Sequence, residues 1–151
     1  MTAVLDRACT WLPGAESSIR TARGWAAATL AAVTPPLPAP VIDDAVLIIS
    51  ELATNAVRHT RSGRGGTYAL TLETDPDHVR IWVMDEGAAA IPFPRCADRD
   101  HDEEGGRGLA IIQACADESG PVVTATATGY TAAIHLTTPG TRSGGGRSCR
   151  R

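Results

Sequence analysis

The sequence predicts an α/β two-layer sandwich, with helices on one face of a mostly antiparallel mixed sheet. Two observations carry this. Residues 15–32 and 40–59 repeat apolar side chains every three or four positions, the period of a helix with one buried face. Four shorter stretches, at about 67–73, 78–84, 122–128 and 131–136, come as two pairs, each pair separated by residues that suit a turn.

Taken in order, "ACTWLPG" reads as a short first strand. The first helix follows, with Ile19, Ala22, Trp25, Ala26 and Leu30 on its inner face, and "TPPLPAP" ends it because proline cannot continue a helix. The second helix starts near residue 40 and lasts to 59, with Val41, Ala45, Ile48, Ile49, Leu52, Ala53 and Ala56 as a wide apolar stripe. "RSGRGG" then breaks the chain. The Asp and Pro of "TDPD" join the next two strands as an antiparallel hairpin. An irregular, charged segment covers 88–105, a short helix is expected over 107–116, and the last two strands turn at Gly129-Tyr130.

With 151 residues and 43% apolar content the chain is long enough for one domain, placed at 1–138, and the Arg/Gly-rich stretch 139–151 reads as a flexible tail. All fourteen basic residues are Arg; outside the tail, ten stand against seventeen acids. Such a body repels nucleic acid. No cationic start leads into an apolar run, and no stretch is long and apolar enough to span a bilayer, so a cytoplasmic protein with no membrane partner is expected. Cys9, Cys96, Cys115 and Cys149 are scattered without a C-x-x-C pair, which favours free thiols. The absence of lysine excludes a P-loop, a protein kinase of the ordinary eukaryotic type and Schiff-base chemistry.

Three clusters carry candidate chemistry. In "ELATNAVRH", Glu51 and Asn55 stand four residues apart and share a helix face, with Arg58 and His59 beyond. A solvated helix edge explains them, and so does magnesium–nucleotide chemistry: the amide oxygen takes one metal position and the carboxylate one turn earlier orients or deprotonates a hydroxyl. "VRIWVMDEG" ends a strand in Asp85, whose carboxylate can accept a hydrogen bond from an exocyclic amine, and Gly87 allows a flat ring close; ordinary turn chemistry explains the same residues. In "GGRGLAII", glycines run into a helix, where backbone N–H groups and Arg107 suit a phosphate; a glycine-capped flexible loop fits as well.

Helix Glu-x-x-x-Asn, strand Asp-x-Gly, a charged connection and Gly-x-Gly before a helix, in this order, resemble the N, G1 and G2 boxes of the GHKL ATPases, the Bergerat or histidine-kinase-like ATP-binding fold. "ELATNAVRH" and "WLPGAESSIRTARGWAAATL" look most like the single-domain anti-sigma-factor serine kinases of the RsbW and SpoIIAB type, over about residues 11–138. The resemblance implies ATP and Mg²⁺ as ligands. It makes Asn55 the metal ligand, Glu51 the general base, and Asp85 with Gly87 the adenine-reading pair. Gly106, Arg107 and Gly108 become the phosphate loop, Leu109 the start of the helix behind it, and Thr131 a residue near the adenine pocket. It also implies an anti-anti-sigma (STAS-type) partner, a sigma factor and a possible homodimer, with Trp11 and Trp25 as candidates for its surface; read alone, both tryptophans belong in the core. Ala89 departs from the pattern, which has its second glycine there, and the connection before Gly105 is acidic. Two other functions fit the same residues: a module of this fold that regulates by docking, and a detached ATP-binding domain of a sensor histidine kinase.

Overall fold

The computed structural model describes residues 6–59, 65–85, 103–125 and 127–136. Eight elements follow one another: β1 (Asp6–Pro13), α1 (Glu16–Ala31), α2 (Ala39–His59), β2 (Thr67–Thr74), β3 (His78–Asp85), α3 (Glu103–Cys115), β4 (Glu118–Val123) and β5 (Thr128–His135). The strands form one sheet in the order β1-β2-β3-β5-β4, and every pairing is antiparallel. The expected two-layer sandwich is present, with a sheet that is antiparallel throughout the described strands.

The core lies between the helices and one sheet face. On β3 burial alternates residue by residue, placing Val79, Ile81, Val83 and Asp85 inward. Their cross-strand partners Thr74, Leu72, Leu70 and Tyr68 on β2 and Ile134, Ala132, Tyr130 and Thr128 on β5 share that face. The whole predicted stripe of α2 is buried, as are Ala22, Ala26 and Leu30 of α1, while Ile19 and Trp25 pack against the core half-buried. Fully burying Leu30, Ile48 and Ile49 contributes about 1.5–3 kcal/mol for each side chain.

Local chemistry fixes the elements. Pro40 stands in the first turn of α2, where its missing N–H breaks no helical bond, and the Val41 N–H closes on Pro38 O at 3.0 Å. Asp75 shapes the β2–β3 hairpin: its Oδ1 accepts from the backbone N–H groups of Asp77 and His78 at 2.7 and 2.8 Å. The buried Ser18 and Tyr68 hydroxyls, 2.9 Å apart, tie α1 to β2. Burial raises the Tyr68 pKa above its ordinary value, and the Ser18 hydrogen bond opposes this in part.

Several expectations are corrected. β4 begins at Glu118 and contains Pro121, which an edge strand tolerates because one of its sides needs no ladder bonds. The turn before β5 therefore falls at 124–127, where Thr124 N–H donates to Ala127 O at 2.8 Å, and Gly129 and Tyr130 are strand residues. α3 begins at Glu103, four residues before the expected start at 107. Trp11 is 65% exposed, because its cross-strand partner Ala69 pairs with Met84, on the face away from the helices. Cys115 is disulfide-bonded, against the expectation of free thiols, while Cys9 is free. The tail expected at 139–151 lies outside the described residues.

Candidate functional site

The C-terminal half of α2 carries the site's polar line. Leu52, Ala53 and Ala56 are buried against the sheet, so α2 cannot roll, and Glu51 and Asn55 are held one turn apart beside that seat. Asn55 is only 8% exposed and Glu51 is half-buried. Among the described residues neither side chain has a hydrogen-bond or ion-pair partner. No side-chain polar atom among the described residues is both fully buried and unpaired, so the amide of Asn55 keeps an accessible edge that a ligand can reach.

α3 packs directly over this pair. A β-carbon added at Gly108 would stand 2.9 Å from Glu51 Oε2 and 3.9 Å from Asn55 Oδ1. Glycine lets the α3 backbone approach Glu51 without displacing its carboxylate. One turn on, Ile112 is fully buried, and Leu109 packs half-buried against the core, so both anchor the rest of the helix.

The third part of the site ends β3. Asp85 is buried on the helix-covered side of the sheet, and the Thr128 hydroxyl donates to its Oδ1 at 3.0 Å. The two residues are cross-strand partners. Thr131 pairs with Trp82, whose side chain points to the opposite face, and its hydroxyl donates to Ile81 O at 2.9 Å. The threonine beside Asp85 is thus Thr128, and Thr131 stands on the far face of the sheet. Sequence reasoning missed Thr128 because it placed the hairpin turn at Gly129-Tyr130; a turn at 124–127 sets Thr128 opposite Asp85.

Gly106, Arg107 and Gly108, expected as a loop before a helix, are helical in α3. Glycine in a helix interior costs about 1 kcal/mol relative to alanine, so a start holding Gly105, Gly106 and Gly108 is a weak stretch of helix. Gly87 and Ala89 lie outside the described residues, as does the side chain of Arg107.

The family model for the histidine kinase-like ATPase domain matches residues 12–133. The chain belongs to that family. The match runs from β1 into β5 and takes in Glu51, Asn55, Asp85 and Gly108. No curated protein matches the chain. At the level of the family, this domain is an ATP-binding regulatory unit of the kinase or ATPase kind. No described helix is long and apolar enough to cross a membrane.

The residues present fit a magnesium nucleotide. No group of three His, Cys, Asp or Glu able to hold a metal occurs among the described residues. A lone amide oxygen such as that of Asn55 suits Mg²⁺, which keeps several waters and takes further ligands from phosphates. The close approach at Gly108 leaves Glu51 and Asn55 bordered by backbone rather than by a side chain.

Proposed function

We propose that the chain is a Mg²⁺-dependent serine kinase that phosphorylates an anti-anti-sigma partner of the STAS type and sequesters a sigma factor in its other state. One observation carries the reading: Glu51 and Asn55, one helical turn apart and lacking partners among the described residues, face backbone at Gly108.

The division of labour follows from the donor set. Asn55 would hold the metal through its amide oxygen. Glu51, half-buried on the seated helix α2, would orient the partner's serine hydroxyl and hold its proton. Asp85 would accept from the amino group of adenine, and Thr128 would fix the direction of that carboxylate. Bound Mg²⁺·ATP supplies the transferable phosphoryl group and the charge that offsets its oxygens. The protein's share is positioning and electrostatics.

The test is transfer of labelled phosphate from ATP to candidate STAS proteins. Wild type labels a serine on one of them, and Glu51→Ala binds ATP but transfers nothing. Loss of ATP binding in Glu51→Ala would contradict its role as base.

A further inference from the structure

We infer that a cavity between the end of α1 and the inner face of β1 and β2 binds a small neutral alcohol with a ring-sized apolar body, of the phenol type, through the hydroxyl of Thr74. The site is separate from the Glu51–Asn55 pair, and the inference does not depend on the nucleotide reading.

The cavity measures about 190 Å³. Leu30 and Val33 line it from the end of α1 and the turn that follows, and the cross-strand partners Ala8 and Leu72 line it from the sheet. Thr29 and Thr74 add its polar part. Thr74 comes six positions after Tyr68, the cross-strand partner of Asp85, a distance of about 20 Å along the strand. The cavity and the candidate adenine contact therefore lie at opposite ends of the sheet.

Size, hydrogen bonding and charge define the occupant. An apolar cavity of about 150 Å³ holds one benzene ring, whereas drug-sized ligands need about 300 Å³ or more, so this one takes a single ring with a short substituent. Thr74 is only 5% exposed, and its hydroxyl has no hydrogen-bond partner among the described residues. No side-chain polar atom among them is both fully buried and unpaired, so this hydroxyl keeps an accessible edge, which for so buried a residue opens on the cavity. Thr29 repeats the pattern. Thr54 of α2 returns its hydroxyl to Ser50 O at 2.7 Å, a common recourse of a threonine inside a helix, but Thr29 makes no such bond and lines the cavity. A threonine hydroxyl donates and accepts, so a ligand hydroxyl satisfies it in either direction.

Charge argues for a neutral ligand. The cavity adjoins the C-terminal end of α1, the negative end of its dipole, and the charge of Arg7 beside it is offset by Glu73 at 3.4 Å. Carboxylates and phosphates are therefore disfavoured. No carboxylate lines the cavity among the described residues, which leaves a cation without a counter-charge.

The test is titration of the full chain with phenol, benzene and benzoate, followed by backbone amide NMR. Phenol should shift the amides of Leu30, Val33, Leu72 and Thr74, and benzoate should not. Thr74→Val keeps the side-chain shape without the hydroxyl; it should bind phenol about fivefold more weakly than wild type and benzene no more weakly. Ala8→Leu, whose added atoms enter the cavity beside Leu72, should bind neither. Thr74→Val answers the question by itself if Ala8→Leu fails to fold. No phenol shifts at these residues, benzoate binding as tightly as phenol, or equal phenol affinities in Thr74→Val and wild type would overturn the inference.

Discussion

Thr128 donates its hydroxyl proton to Asp85 Oδ1 across 3.0 Å, at the end of the ladder between β3 and β5. The direction of that bond follows from the chemistry, because a carboxylate only accepts. The Thr128 oxygen keeps its lone pairs and adds a second acceptor beside Asp85. Thr128→Val removes the donor next to a buried carboxylate and should cost about 1–3 kcal/mol of stability. ATP affinity should fall about tenfold, while Thr128→Ser retains both. Calorimetric titration with thermal melts checks this; equal affinities for Thr128→Val and wild type would remove Thr128 from the site.

Gly108 separates stability from activity. The atom that an alanine methyl would meet is Glu51 Oε2, the free end of a flexible side chain, which can swing aside. Alanine also favours the helix. Gly108→Ala should therefore melt within a few degrees of wild type or above it, while phosphoryl transfer drops at least about tenfold because Glu51 is displaced. Transfer assays beside melting curves distinguish this from misfolding, and full activity would show that the placement of Glu51 is immaterial.

Tyr68 predicts how the fold responds to alkali. Its folded pKa lies above the ordinary value near 10, mainly through burial. The unfolded chain therefore loses this proton first. The contribution is fully present below about pH 10 and disappears as pH rises through the folded pKa. Urea unfolding from pH 8 to 11 should show a falling midpoint above about pH 10, and Tyr68→Phe should flatten that fall. An equal decline in both proteins would assign alkaline instability to other groups.

The two faces of the sheet should differ in tolerance. Trp11, 65% exposed on the helix-free face, can be replaced by Ser at a cost within about 0.5 kcal/mol. Ile49→Ala empties part of the core and should cost about 2–5 kcal/mol. Urea midpoints measure both, and a large loss for Trp11→Ser would mean that the helix-free face is buried in solution.

The sequence carried most of the fold because its strongest signals are periodic. The α2 stripe from Val41 to Ala56 is buried at every position named for it, and the hairpin at "TDPD" forms where Asp75 can cap two backbone amides. The errors lie where local preference and tertiary context disagree. Glycine and proline spoke against helix at 105–108 and strand at 120–121, yet packing of Gly108 on Glu51 and the edge position of β4 permit both. Trp11 looked like a core residue by composition, and only the register of β1 on β2 puts it outside. The N-box pair was legible because both residues sit on one helix. The Thr128 contact depends on the pairing of two strands more than forty residues apart, which no local pattern encodes.

Calorimetric titration of wild type and Asn55→Ala with ATP, with and without Mg²⁺, tests the central claim most directly. Wild type should bind ATP with an affinity that rises when Mg²⁺ is added, and Asn55→Ala should lose that magnesium-dependent gain while remaining folded. An Asn55→Ala protein that binds Mg²⁺·ATP as tightly as wild type would contradict the account.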